Sequence, residues 1–461
     1  MKKRLYFVTA LILISIGGWI SSSMAGGVVV PKADYTLRPM IFVHGGSGSG
    51  AQFWSQAMRF TSNFYPAEYI FALEYDSTFT LNTMNDVYAA LDAKIAAIQA
   101  ATGFDQVDVL GHSLGTTVMH GYLAFPDRAA NVAHYVNIDG RTALTPPGGV
   151  STLAIWAGTG TPGRAIVGAI NVTVPNQTHV QSATSAESFV EMYRFFTGKE
   201  PMTSYIIPDP PGQVRLAGRV AYFPYNVGLP NTTLEIWKVD AATGARTNKK
   251  PMAICALDSD GYFGPIKAHG GESYEFAVVQ QLLEGTFTHH FYFEPFIRSD
   301  YLIRLPTSPR GQGVSAYMDT SENQTNAIVQ RYKEFWGNKG AENDAILVNG
   351  VDVVNAATCP INKRVIAMFL FDNNVDGISD LSTMLFPFNL LSFLSGVDLY
   401  IPANPPDDTV QFMVIPRGDA SHTQMINVPN WASSEHTVSI MFNDYTQDIK
   451  SFPDWAKSHG Q

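Results

Sequence analysis

An α/β domain followed by a β-rich region is the fold class this sequence predicts, and three observations carry the prediction. Short apolar runs alternate with helix-period segments between residues 39 and 196. Within that stretch, Gly111-His112-Ser113-Leu114-Gly115 sits between a strand-like run and a helix-like run. From about Tyr205 the alternation stops, and short β-like runs separated by turn residues take over.

The elements follow in order. Residues 39–43 form an apolar strand that enters the glycine-rich loop His44-Gly45-Gly46-Ser47-Gly48-Ser49-Gly50. Residues 69–73 form a second strand. Residues 85–101 form a helix, because Val87, Leu91, Ile95 and Ile98 recur at helical spacing and Gly103 follows its end. Residues 104–110 form a strand, and a helix from Gly115 stops near Pro126. Residues 135–138 lead to Asp139, residues 152–156 form the next strand, and residues 170–174 form the last, leading to His179. A helix over 185–196 closes the segment, so residues 26–205 read as one domain with a mostly parallel sheet covered on both faces. Pro208, Pro210, Pro211 and Gly212 make a linker. A β-sandwich is expected over 206–283, and a second β-rich region over 284–461 with a helix at 326–336.

Composition narrows the function classes. With 461 residues, 46% hydrophobic and 15% charged, the chain is globular and carries two or three domains. A net charge of -10 argues against nucleic acid or an anionic membrane surface as an electrostatic partner. Met1-Lys2-Lys3-Arg4, an apolar run from Leu5 to Ile20 and Ser23-Met24-Ala25 read as an export signal over 1–25, cleaved before Gly26. That implies a secreted or periplasmic protein. An uncleaved anchor is the alternative, although Gly17-Gly18 interrupts a run already short for a span. Cys255 and Cys359 form one disulfide or stay as two separately buried thiols.

The chemistry centres on Ser113. A strand–turn–helix passage this sharp tolerates only small residues two positions either side of the serine, which accounts for Gly111 and Gly115. It lifts the hydroxyl clear of the sheet and sets it at a helix N-terminus. A serine hydroxyl needs a base to take its proton and a carboxylate to orient that base. After Ser113, only His120, His134 and His179 fall within the α/β segment. His120 lies along the serine's own helix and His134 at the wrong end of a strand, whereas His179 follows the last strand, where strand C-termini converge. No Asp or Glu occurs between Gly140 and Ala186, and Asp127 belongs to the opposite end of the sheet, which leaves Asp139 as the acid. Two N–H donors for a developing oxyanion are expected at Leu114, after the serine, and at Gly46 in the glycine-rich loop, with Gly45 as the second choice.

Residues 39–196 resemble the α/β-hydrolase superfamily, its lipase branch in particular. Val43-His44-Gly45-Gly46 is similar to the lipase oxyanion loop, and Gly111-His112-Ser113-Leu114-Gly115 to the lipase elbow. The whole plan resembles two-domain lipases with a C-terminal β-rich lipid-binding domain, and residues 214–280 separately resemble the transthyretin-like sandwich. The resemblance implies a serine ester hydrolase needing no cofactor. The expected substrate is triacylglycerol or another hydrophobic ester at a lipid–water interface. Carboxylesterase or polyester depolymerase is the alternative, and an inactive surface binding module is the alternative from another class.

Three segments carry open readings. Residues 47–68, with Phe53, Trp54, Met58, Phe60, Phe64 and Tyr65, either cover the site or pack as a helix on the sheet. The apolar run 384–388 is either core or a lipid contact. Asp372, Asn374 and Asp376, with Gly377 and Asp380, echo a calcium loop. Thr383 stands where a bidentate glutamate is wanted and no helix pair flanks the run, so a solvated turn is the simpler reading.

Overall fold

A computed structural model describes residues 33–283, 285–403 and 408–446. The export signal expected over 1–25 lies outside the described residues. A six-stranded, wholly parallel sheet forms the first domain: β1 (Met40–Val43), β2 (Ile70–Leu73), β3 (Val107–His112), β4 (Val132–Ile138), β5 (Ser151–Ala157) and β6 (Ile170–Val174), in the order β2-β1-β3-β4-β5-β6. The unbroken apolar run of β1 is explained by burial on both faces. Ile41 and Val43 pack with α2 (Met84–Thr102) and α3 (Leu114–Leu123), while Met40 and Phe42 pack under α1 (Trp54–Ser62) and, beyond the short helices α4 (Pro126–Ala129) and α5 (Gln181–Thr184), α6 (Ala186–Thr197). The face of α2 read from the sequence is the buried one: Val87, Leu91, Ile95 and Ile98 all enter the core. A Thr83–Asp86 capping box starts α2, and Gly103 ends it at φ 78°.

The rest of the chain is β. Its strands are β7 (Arg215–Tyr222), β8 (Val227–Gly228), β9 (Thr232–Val239), β10 (Ala253–Ala256), β11 (Tyr262–Lys267), β12 (Ser273–Leu282), β13 (Gly285–Phe293), β14 (Asp300–Thr307), β15 (Ala327–Gln330), β16 (Ala345–Val348), β17 (Val351–Asp352), β18 (Ala367–Phe371), β19 (Leu394–Asp398), β20 (Thr409–Ile415), β21 (Gln424–Pro429) and β22 (His436–Met441). An eight-stranded sheet, β10-β9-β12-β13-β22-β15-β18-β19, faces β11-β7-β14 at one end and β17-β16-β20-β21 at the other.

Two sequence expectations change here. The division at 283/284 falls inside the β12–β13 hairpin, whose pairing runs from Glu275↔Tyr292 to Leu282↔Gly285. The sandwich therefore continues through β14, which pairs in parallel with β7. The helix expected over 326–336 is instead β15, because Ala327–Gln330 is hydrogen-bonded between β22 and β18. Cys255 and Cys359 are both free thiols, the first half-buried on β10 and the second fully buried against Met368. Helix α1 is packed, not lying over the site as a cover: Trp54, Met58 and Phe60 are buried, and Arg298 donates to Thr61. No helix among the described residues is long and apolar enough to cross a membrane.

Candidate active site

The passage from β3 to α3 puts Ser113 at φ 53° and ψ −119°, a strained conformation for a residue with a Cβ. The flanking glycines are required by contact. A Cβ on Gly115 would stand 2.3 Å from the Val43 carbonyl oxygen, and one on Gly111 2.9 Å from that of Gly115. Leu114 is the first residue of α3, so its N–H belongs to the unpaired helix N-terminus.

His179 follows β6, and Asp139 follows β4 at φ 41°. The structure brings both to Ser113: the Ser113 Oγ lies 2.9 Å from His179 Nε2, and His179 Nδ1 lies 2.6 Å from Asp139 Oδ2. A carboxylate only accepts, so Nδ1 carries the proton and Nε2 accepts from the serine hydroxyl. Burial would raise the Asp139 carboxyl, but the His179 hydrogen bond and charge outweigh it. With the Ala157 N–H at 3.1 Å and Arg164 Nη1 at 2.7 Å from Oδ1, they hold it down at about 2.

The other sequence candidates fall elsewhere. His120 is bound to Asn137 Oδ1 at 3.1 Å, and His134 pairs with Asp108 and Arg38. In the glycine-rich loop, Gly45 donates to Gln52 Oε1 and Ser47 to Ser77 Oγ. The Gly46 N–H has no acceptor among the described residues, and a Cβ there would meet nothing within 4 Å. The loop Asp372–Asp376 is tied to Asp398 and Asp319, which accept from Asn373 N and Asn374 N, as well as to itself. The Asp372 carboxylate accepts from Asp376 and Gly377, Asn374 takes a positive φ, and no group of three or more His, Cys, Asp or Glu among the described residues could hold a metal.

Several residues that the sequence did not single out hold this arrangement. Gln52 accepts from Gly45 and donates to His112 Nδ1; His112 Nε2 donates to the His179 carbonyl at 2.9 Å. Burial keeps the His112 ring neutral, pushing it down to about 3, which suits one donor and one acceptor nitrogen. His44 is likewise pushed down to about 4 by burial. Its Nδ1 donates to the Gly45 carbonyl, and its Nε2 accepts from Asn226 of the β region at 3.3 Å. Glu334, also from the β region, binds both flanks of His179. It accepts from the Thr178 hydroxyl, from Val180 N at 2.6 Å and from Gln181 N at 3.2 Å.

Ser113 and His179 open on a cavity of about 370 Å³. The α/β domain lines it with Gly45, Gly46, Gln52, His112 and Val180, and most of its apolar wall comes from the β region: Phe223, Ile328, Phe369, Leu391, Phe393 and Met441. A hydroxyl activated by an imidazole–carboxylate pair beside a helix N-terminus and facing an apolar cavity can attack an acyl carbonyl.

Residues 37–133 match the family model Lipase (class 2), and residues 212–309 match the Lipase C-terminal domain model. Residues 313–446 match a model described as a "-like, C-terminal domain". No curated protein matches the chain. Solved structures similar to it include Aspergillus fumigatus lipase B, 15% identical over 37% of this chain and 56% of that one, with a TM-score of 0.30. A Listeria innocua gene product is 12% identical over 36% and 97%, with a TM-score of 0.28. A marine microorganism esterase is 12% identical over 36% and 97%, with a TM-score of 0.26.

Proposed function

We propose that this chain, an ester hydrolase with a lipase-type α/β-hydrolase domain and C-terminal β domains, cleaves acyl esters through a Ser113–His179–Asp139 triad, with acylglycerols as its substrates. The observation that carries the reading is the unbroken chain Oγ–Nε2–Nδ1–Oδ2, at 2.9 and 2.6 Å, from three loops at one end of the sheet. His179 takes the serine proton as Oγ attacks the carbonyl carbon. The N–H groups of Leu114 and Gly46 receive the oxyanion, and the imidazolium rests against Asp139. The alcohol leaves with the proton from Nε2, and water, deprotonated by the same ring, cleaves the acyl-enzyme.

The apolar wall of the cavity supports a hydrophobic acyl group. Export belongs to the same proposal, on the basic and then apolar run of residues 1–25. N-terminal sequencing of the mature protein should begin at Gly26.

The deciding experiment uses purified protein, a nitrophenyl ester series and a phosphonate ester. Wild type should hydrolyse the esters and gain the phosphonyl mass on Ser113. Ser113→Ala should lose at least about a thousandfold in kcat and should not label. Wild-type rates in Ser113→Ala would sink the triad. A comparison of emulsified triacylglycerol with dissolved short-chain ester then separates lipase from carboxylesterase.

A further inference from the structure

One cationic side chain in the cavity wall has donors without acceptors. Arg304, on β14, lines the same cavity as Ser113 and is 6% exposed. Its Nη1 donates to the Ser47 carbonyl at 3.3 Å, on the glycine-rich loop. Its Nε and Nη2 are buried and have no partner among the described residues. These two nitrogens form one edge of the guanidinium, the edge whose parallel N–H bonds grip a carboxylate or share a carbonyl oxygen.

The surroundings do not supply such an acceptor. Phe223 lies with its ring centroid 5.8 Å from the guanidinium carbon, and Pro306, Ile328 and Met441 line the same space. The carboxylate of Glu74 contributes its field, but its oxygens accept from Gly50 N at 2.9 Å and Asn226 Nδ2 at 2.6 Å. Arg331 and His289 on this wall are satisfied. Arg331 binds Asp344 at 2.9 Å, and both ring nitrogens of His289 are bound to hydroxyls at 2.9 Å. A buried guanidinium edge without acceptors is costly unless something completes it.

We propose that Arg304 is a second recognition point in the active-site cavity: the ester cleaved at Ser113 carries, away from its scissile carbonyl, another oxygen acceptor that binds the Nε–Nη2 edge of Arg304. The inference rests on Ser113 being the nucleophile and names the substrate class more closely. The acceptor is a carboxylate or a second ester carbonyl. An acylglycerol offers the neighbouring carbonyl, and the half-ester of a dicarboxylic acid offers the carboxylate. A fatty ester of a simple alcohol offers neither.

The test compares three methyl ester series of matched chain length on the wild-type protein: alkanoates, dimethyl alkanedioates and monomethyl alkanedioates. The best dimethyl or monomethyl alkanedioate should exceed the best alkanoate at least tenfold in kcat/KM, and the contest between those two series identifies carbonyl or carboxylate. In Arg304→Gln and Arg304→Lys the same ratio, read on one preparation and so insensitive to the folded fraction, should fall at least fivefold. Alkanoates preferred at every length would overturn the proposal. So would a ratio unchanged in Arg304→Gln, which would mean that the edge is satisfied from the cleft shared with Lys94 and Arg219. If Arg304→Gln does not fold, the wild-type comparison alone decides. Failure of all three series together with failure of phosphonate labelling would strike the ester-hydrolase reading itself, and this inference with it.

Discussion

The Glu334 carboxylate accepts the Val180 N–H at 2.6 Å, although the two residues stand 154 positions apart. Val180 follows the proposed base directly, and Thr178 on its other side donates to the same carboxylate. Glu334 is almost fully buried, so these bonds are shielded from water. The β region thus sets the loop from which the imidazole reaches Ser113. Glu334→Ala should lower kcat by about ten- to a hundredfold with KM changed less than about threefold, since reacting geometry is lost and the acyl wall is not. Glu334→Gln should fall between. It keeps one acceptor for Val180 but turns an N–H₂ toward the Gln181 N–H. Steady-state kinetics on a soluble nitrophenyl ester checks both, and an unchanged kcat in Glu334→Ala would remove Glu334 from this role.

Arg164 approaches the other oxygen of Asp139 at 2.7 Å while its guanidinium lies 4.5 Å from the Trp156 ring. With Asp139 held at about 2, the carboxylate is ionised throughout the working range. Protonation of Asp139 therefore does not supply the acid limb of kcat/KM. Removing the Arg164 cation takes away one of the interactions that hold the Asp139 carboxyl down. Arg164→Met should therefore raise the pH at which the Asp139 carboxyl protonates. Asp139→Asn should cost about four orders of magnitude in kcat, by loss of the correct tautomer. The carboxyl carbon shift of Asp139, followed by NMR against pH, checks the first, and a titration that moves to lower pH in Arg164→Met would contradict this account.

How far the site was legible depends on the range over which each residue acts. Ser113 was legible because the elbow is a local spacing, and Gly111 and Gly115 are dictated by contacts within a few residues or with the adjacent strand. Asp139 and His179 were legible because each ends a strand and because carboxylates are absent from 140 to 186. Gln52, Glu334 and Arg304 were not. Nothing in their neighbourhoods distinguishes them from surface polar residues, and their partners lie up to 257 positions away. The same reason explains the strand at Ala327–Gln330: four residues are too few to show a period, and its two neighbours are 40 and 111 positions on. The 283/284 division read the interior of a long hairpin as a domain edge.

Phe386 and Leu390 are exposed at 73% and 71%, and the chain between them turns Phe388 fully inward. One residue further on, Leu391 lines the active-site cavity, and Phe393 stacks near the His179 ring. The run 384–388 is therefore split between core and surface, and its surface part stands beside the cavity wall. Phe386→Ser with Leu390→Ser should lower hydrolysis of emulsified triacylglycerol about tenfold while leaving a dissolved short-chain ester within about twofold, because only the former requires adsorption to an apolar surface. Equal losses on both substrates would place these side chains in the fold, not at an interface.

Asp300 is buried on β14 near Asp444. One of its oxygens accepts from Leu302 N at 2.8 Å, and the other has no partner among the described residues. Burial pushes its carboxyl up to about 7, against an ordinary value near 4. Burial also raises the neighbouring Glu294 to about 7 and Asp444 to about 6. The linkage sign follows from proton counts. Between about pH 4 and pH 7 the folded chain holds protons on these groups that the unfolded chain has released. Raising the pH through this window therefore lowers stability, and each unit of difference is worth about 1.4 kcal/mol per group. Asp300→Asn keeps the Leu302 acceptor and removes the charge. At pH 8 it should melt several degrees above wild type, and the gap should close by about pH 5. Calorimetry across that range checks it, and a variant less stable than wild type at pH 8 would mean that the ionised Asp300 is compensated by a partner.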